Sequence, residues 1–509
     1  MEHGLEFRRQ FILTQTPLPP PAGWMSLQID PYYLYAHPDL EVHRERAGAR
    51  SLVLIGCLFD PDGPEKGNAD IVKDLLTASA GLRGLFASIK RYAGRYELLY
   101  QDEQDAVILH DALALREIYY VSGDNRIVCG SQPNLVAKYA NPEIRPRADV
   151  DFLKFYESHS RDSRWDPRCK WIGDETYYAG VKHLLPNHYL DINKRQALRY
   201  WPDKPISRLS LDEAVSRSAD FLQNILQAMA FRHKIMIAVT AGTDSRTILA
   251  ASRNITDNVY YYINNLYSND RHPDIFVPKR MFEGIGIPFH IHEVPKGVDE
   301  NFRRIFLNNA FFASDRILPT IYNVYYKKLS DYVNVLGIGE IGRTRYGKEP
   351  KRLNGFRLFY RLGYRSGRYV ARIAEEIRAE LSPVCRSSGI NPMTLFYWEH
   401  TLGNWGVTGN SESDIAIEEI NPYDSHQLYE IFLGVDARFV KYTRPVFFKE
   451  LIRRMWPELL EWPINPPFTI RDKSAAVLKM TGLFEPLKEL KYRLHHFKYL
   501  ANTKRARRK

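Results

Sequence analysis

At 235–251 the sequence IMIAVTAGTDSRTILAA sets an apolar run against a cluster of small and oxygen-bearing residues. The run reads as a buried parallel strand. Thr240, Ala241, Gly242, Thr243, Asp244 and Ser245 then read as a tight turn before a helix starting at about Thr247. A strand, a small-residue turn and a helix N-terminus together make an anion site, because backbone N–H groups and the positive end of the helix dipole point the same way. Asp244 in that turn would repel a bare phosphate, so a bridging divalent cation is implied. The ligand expected is a nucleotide pyrophosphate bound with Mg2+, with Asp244 on the metal. The plainer alternative is an ordinary strand–turn–helix corner, where small residues are common.

A second turn follows an expected strand at 332–336. Its residues, Gly337-Ile338-Gly339-Glu340-Ile341-Gly342, carry one carboxylate, Glu340. A carboxylate at the end of a strand in an open α/β sheet stands where such sheets bind ligands. The basic residues Arg343, Arg345, Lys348, Lys351 and Arg352 crowd behind it.

The elements that must hold these turns follow from punctuation and period. Trp201-Pro202-Asp203-Lys204-Pro205 cannot continue regular structure. After it, Ser210-Leu-Asp-Glu213 has capping-box spacing and opens a helical pattern to about Phe231. A boundary near residue 205 divides the chain into units 1–205 and 206–509. Before the boundary, short β-like runs dominate, at 51–59, 96–100, 106–109, 118–121 and 126–130. After it, strands at 235–240, 258–263, 288–293 and 332–336 alternate with helices, one of them from Pro273 to about Gly284. That alternation argues for a parallel sheet covered on both faces. From about 355 the pattern is mostly helical.

A chain of 509 residues, 44% hydrophobic and 13% aromatic, has material for two packed units and is not a disordered one. No apolar run approaches the roughly 20 residues of a membrane span. The first residues show no signal-peptide core, so no membrane and a cytoplasmic setting are expected. Cys57, Cys129, Cys169 and Cys385 have neither pair nor metal spacing and read as reduced, buried thiols. The net charge of +11 draws in part on the tail Lys504-Arg505-Ala-Arg507-Arg508-Lys509. No nucleic-acid-binding pattern accompanies it, so it reads as a solvated tail and nucleic acid is not an expected partner.

The turn at 240–245 resembles the Ser-Gly-Gly-x-Asp-Ser loop of the ATP pyrophosphatases. Thr240 stands for the first Ser, Gly242 for the second Gly, and Asp244-Ser245 for the closing pair. Ala241 replaces the first Gly, which a methyl permits only if φ there stays negative. Upstream, Gly94-Arg-Tyr96 followed by Asp111, Arg116, Tyr119 and Tyr120 resembles the glutamine-amidotransferase domain of the asparagine synthetases; Ala114 and Glu117 depart from it. The stretch from Gly173 through Pro186 to His188, and then Tyr200-Trp201, resembles the end of that domain. The resemblance spans roughly residues 90–340. It implies an α+β N-terminal amidotransferase-like sandwich followed by an α/β unit, a parallel sheet of ATP-pyrophosphatase type with a helical C-terminal part.

The departures shape the mechanism. Glutamine hydrolysis in that family needs a cysteine directly after the initiator Met, and here Met1 is followed by Glu2. Cys57 sits in an apolar run, where a thiol has a raised pKa and is inert. The β-lactam and carbapenam synthetases resemble this chain in keeping the domain without its cysteine, and take an amine from the substrate. The synthetases also carry Gly-Glu-Gly-Ser-Asp-Glu where this chain has Gly337 to Gly342. In one register Glu340 falls one position before the expected aspartate and joins Asp244 on the magnesium; in the other it is the general base and Arg343 falls where the metal ligand should be. Lys473, in Phe468-Thr-Ile-Arg471-Asp-Lys473-Ser, is the candidate for the family's late lysine, or else a surface residue. The resemblance implies an ATP-dependent amide ligase joining a small-molecule carboxylate and an amine through an acyl-adenylate. A nucleic-acid-modifying adenylating enzyme and a non-catalytic scaffold remain as alternatives.

Overall fold

The computed structural model describes residues 4–123, 126–141, 143–147, 172–266, 269–311, 313–342, 354–355, 368–441, 444–481 and scattered positions between 483 and 497. Cys169, the basic cluster behind Gly342 and the tail 504–509 lie outside the described residues.

The first two hundred residues build two antiparallel sheets. Their strands are β1 (Phe11–Thr14), β2 (Met25–Ile29), β3 (Tyr32–Ala36), β4 (Val42–Ala47), β5 (Arg50–Phe59) and β6 (Ala93–Gln101). They continue with β7 (Ala106–His110), β8 (Tyr119–Gly123), β9 (Arg126–Gly130), β10 (Val181–His183), β11 (His188–Asp191) and β12 (Gln196–Arg199). One sheet has the order β10-β8-β9-β1-β3-β2 and the other β12-β11-β7-β6-β5-β4. Successive side chains of a strand leave opposite faces, and β5 shows what that does here. Val53 and Ile55 enter the core between the two sheets, with Phe11, Leu34, Leu99 and Ile108. Leu52, Leu54 and Leu58 enter a second core on the outer face. Both faces of this sheet are therefore buried, which is why β5 reads as an unbroken apolar run.

The second core crosses the break at 201–205 without interruption. It takes Ile71 and Leu75 from the Asn68–Ala78 helix, then Leu222, Ile225 and Met229 from the Leu211–Arg232 helix, then Ile235 and Ile237. The long helix starts where the spacing predicts, with Ser210 as N-cap accepting the Glu213 N–H at 3.2 Å.

Five parallel strands follow: β13 (Ile235–Ala238), β14 (Val259–Asn265), β15 (His290–Glu293), β16 (Val333–Val335) and β17 (Glu418–Ile420), in the order β15-β14-β13-β16-β17. Met236 faces a third core, with Phe302, Ile305 and Ile321, opposite the face used by Ile235 and Ile237. Strand order grows outward from β13 in one direction through β14 and β15, and reverses to β16 and β17. The crevice of such a sheet opens at the reversal, between the carboxyl ends of β13 and β16.

Three expectations need correction. The helix after β13 starts at Thr243, not Thr247, because Gly242 at φ −76° and ψ 159° is its N-cap and Arg246 N–H already bonds the Gly242 carbonyl. The strand before it ends at Ala238. The part beyond 355 is mostly helical but also supplies β17, whose pairing with β16 completes the sheet. Among the described residues no helix is long and apolar enough to cross a membrane.

Candidate active site

The 240–245 turn leaves β13 and folds over itself through its own hydroxyls. Ser245 Oγ accepts the Thr240 N–H at 3.1 Å and lies 2.9 Å from Thr240 Oγ1, which accepts the Gly242 N–H at 3.0 Å. Ala241 is not among the residues with positive φ, so the methyl that replaces a glycine is accommodated. Its N–H donates to Asp274 Oδ1 at 3.1 Å, from the first turn of the Pro273–Ile285 helix. A carboxylate thus sits on an amide that sequence reasoning assigned to an anionic ligand.

The second turn comes to meet the first. A side-chain carbon at Gly337 would lie 3.4 Å from the Ser245 nitrogen, and one at Gly339 would lie 3.3 Å from Asp244 Oδ1. At Gly342 it would overlap the Phe432 ring. Gly339 is the glycine that lets the second turn come this close to Asp244, whereas a carbon at Gly337 would make ordinary contact. Residues just past β17 fix the turn in place. Asn421, fully buried, donates Nδ2 to the Ile338 carbonyl and accepts the Ile338 N–H, each at 3.2 Å. Tyr423 donates its hydroxyl to the Asp244 carbonyl at 3.3 Å. Glu340 accepts the Tyr397 hydroxyl with Oε2.

A third segment caps the first turn. Asn465, at φ +49°, donates its N–H to the Ala241 carbonyl at 2.8 Å and its Nδ2 to Thr243 Oγ1 at 3.1 Å. Arg246, fully buried, donates to the carbonyls of Leu459, Trp462 and Pro463, and burial lowers its pKa to about 10. Phe468 packs edge-on to His272 at 5.3 Å. Lys473 is one turn further, exposed on the Ile470–Met480 helix. The structure therefore gathers Thr240 to Ser245 with the Gly337 to Gly342 turn. It brings the segment before Lys473, rather than Lys473 itself, into contact with them.

Beside this junction lies a cavity of about 300 Å³ at the carboxyl ends of β14, β16 and β17, lined by Asn264, Tyr325, Ile338, Gly406, Asn410 and Glu419. Asn264 Oδ1 and Asn410 Nδ2 are buried there without hydrogen-bond partners among the described residues, one acceptor and one donor offered to a polar guest. Burial pushes Glu419 up to about 7 although Asn334 Nδ2 donates to it at 2.8 Å. A larger depression of about 740 Å³, lined by Phe231, His233, Tyr260 and Tyr332, lies at the amino ends of the strands, away from both turns.

The donor set suits magnesium. Asp244, Thr240 and Ser245 offer only oxygens, as a hard cation that shares its shell with phosphates requires. Among the described residues no three His, Cys, Asp or Glu side chains converge on one point. A metal here would rest on one or two carboxylates and its nucleotide. In the first unit, burial pushes the Cys57 thiol up to about 12, so it offers no nucleophile at neutral pH. Asp111 is committed to structure, accepting the N–H groups of Leu115 at 2.7 Å and Arg116 at 2.9 Å.

Sequence reasoning missed Asp274, Tyr397, Asn421, Tyr423 and Asn465. Asn421-Pro422-Tyr423-Asp424 and Pro463-Ile464-Asn465-Pro466-Pro467 were the available signals, polar residues beside prolines.

No protein-family profile matches the chain. No curated protein matches it either. Among solved structures it is similar to the glutamine phosphoribosylpyrophosphate (PRPP) amidotransferase of B. subtilis, solved with ADP and GMP, at 10% identity and a TM-score of 0.23. The similarity covers 57% of this chain and 61% of that one, less than two thirds of its length.

Proposed function

We propose that the chain is an AMP-forming carbon–nitrogen ligase of asparagine-synthetase type, with an amidotransferase-like unit up to about residue 205 that releases no ammonia. The observation that carries this reading is the meeting of the 240–245 and 337–342 turns where the strand order reverses, with Gly339 against Asp244. That is the crevice where open α/β sheets bind nucleotides.

In this reading Asp244 would hold magnesium, which would supply positive charge against the phosphates. The hydroxyls of Thr240 and Ser245 and the N-terminus of the Thr243–Ala251 helix receive the pyrophosphate. An oxygen of the substrate carboxylate bonds to the α-phosphorus, and the bond from that phosphorus to the bridging oxygen breaks. The amine then attacks the acyl carbon and AMP leaves. Glu340, hydrogen-bonded to Tyr397, takes the proton the amine gives up. Lys473 reaches the leaving group only if its helix moves inward. Since Cys57 is buried in β5, the amine comes from solution or from the substrate itself.

A second reading has one observation in its favour. The amides of Thr240, Ala241 and Gly242 are already satisfied by Ser245, Asp274 and Thr240, as in a descendant that no longer binds nucleotide. ATP–pyrophosphate exchange with magnesium separates the two, run over a panel of carboxylic acids that includes aspartate. The ligase reading expects exchange with at least one acid, reduced about a hundredfold or more in Asp244→Ala. Neither exchange nor ATP binding would leave the non-catalytic descendant.

A further inference from the structure

From the last helix we infer a peripheral membrane contact: an amphipathic, basic segment that lies on an anionic lipid surface. The chain is helical at every described residue from 484 to 497. Leu483, Leu487, Leu490, Leu494 and Phe497 are 49 to 74% exposed. The spacing of three, four and three residues from Leu487 to Phe497 puts these last four within a stripe of roughly 80° on a helix turning about 100° per residue, and Leu483 stands just before its start. Tyr492 is 6% exposed and belongs to the main core. By the same rotation it lies roughly 180° from that stripe. The helix is thus fastened to the body by the face opposite its leucines, and the apolar ridge points outward.

Charge names what covers the ridge. Lys491 and Arg493 flank it at roughly 80° on either side, as snorkelling cations do at a bilayer surface. Both are exposed, and Arg493 also pairs with Glu489 at 3.5 Å. Residues 483–509 hold nine lysines and arginines against two glutamates, which is seven of the chain's eleven net positive charges. An apolar stripe between cations, followed by a basic tail, matches the chemistry of acyl chains beneath anionic headgroups. A second copy fits less well, because the positions flanking the heptad seam, Lys491 and Arg493, would meet like charges. Nucleic acid would leave the leucines exposed.

The test is sedimentation of the full chain with phosphatidylcholine vesicles, with and without phosphatidylserine, at low and high salt. The expected result is preference for the serine lipid by about tenfold or more, weakened by salt. Leu490→Asp with Leu494→Asp, and separately Lys491→Glu with Arg493→Glu, should each lower binding about tenfold. These side chains face away from the core, so thermal unfolding should stay unchanged and serves as the folding control. Absence of a lipid preference overturns the inference. So does binding that survives the leucine changes, which would be adsorption of the tail alone. A dimer in solution that the leucine changes dissociate, without vesicle binding, overturns it in favour of a second copy.

Discussion

Glu418 and Glu419 are neighbours on β17, and the fold drives their carboxyls in opposite directions. Burial alone raises Glu418, but Arg116, Arg95 and Arg9 outweigh it and hold it at about 2. Arg116 Nη2 and Arg95 Nη1 lie 2.8 and 3.0 Å from its Oε1. Glu419 leaves the other face of the strand and lines the cavity beside the two turns. Burial pushes it up to about 7 against the hydrogen bond from Asn334 and the attraction of Arg95.

The linkage signs are opposite too. Between 4.5 and about 7 the folded chain holds a proton on Glu419 that the unfolded chain has lost, so this group's contribution falls as pH rises through that window. Glu418 contributes stability at pH above 4.5 that is lost as pH falls toward about 2. At about 1.4 kcal/mol per pH unit, each displacement from 4.5 corresponds to about 3 kcal/mol. Glu419→Gln keeps an oxygen for Asn334 and removes the titration. Measured by urea unfolding, the variant should gain about 2–3 kcal/mol on the wild type between pH 4.5 and pH 8. Glu418→Gln should do the reverse, losing stability at neutral pH and little near pH 2. A difference between Glu419→Gln and wild type that stays constant from pH 4.5 to pH 8 would refute the argument. It would mean that the cavity wall is charged in the folded chain at all these values.

Arg95 spans the two units, reaching both oxygens of Asp414 at 2.6 and 2.8 Å while fully buried. Arg95→Met leaves buried carboxylates uncompensated and should cost about 3–5 kcal/mol in urea unfolding; a loss under about 1 kcal/mol would contradict the assigned pairing. Gly342→Ala drives a methyl into the Phe432 ring, for about 1–3 kcal/mol of stability. It should also lower pyrophosphate exchange by displacing the Glu340 turn. Phe432→Leu in the same chain should recover part of both, and a double-mutant cycle reads the coupling.

The strand–turn–helix at 235–251 was legible because its signal is local: apolar Ile235 to Ile237, then small residues, then a helix. Strand β17 was not. Its first two residues are glutamates, and no period or propensity marks a buried strand with that composition. The partners that permit it, Arg95 and Arg116, are more than 300 residues away in sequence. The helix start was misplaced for a related reason. Thr243, Asp244 and Ser245 are turn-forming residues on their own, but Arg246 is held by the carbonyls of Leu459, Trp462 and Pro463, and Asn465 holds Thr243, so the helix winds back to Gly242.

The same non-local packing bears on the chemistry. An anion that takes the Ala241 amide must displace Asp274 Oδ1 or bring a cation that both carboxylates, Asp244 and Asp274, can face. A free nucleotide would meet two negative groups at the mouth of the turn, whereas one already carrying magnesium would meet two oxygens able to share its charge. If the turn binds nucleotide as proposed, Asp274, which at first weighs against the site, would also favour the magnesium-loaded form.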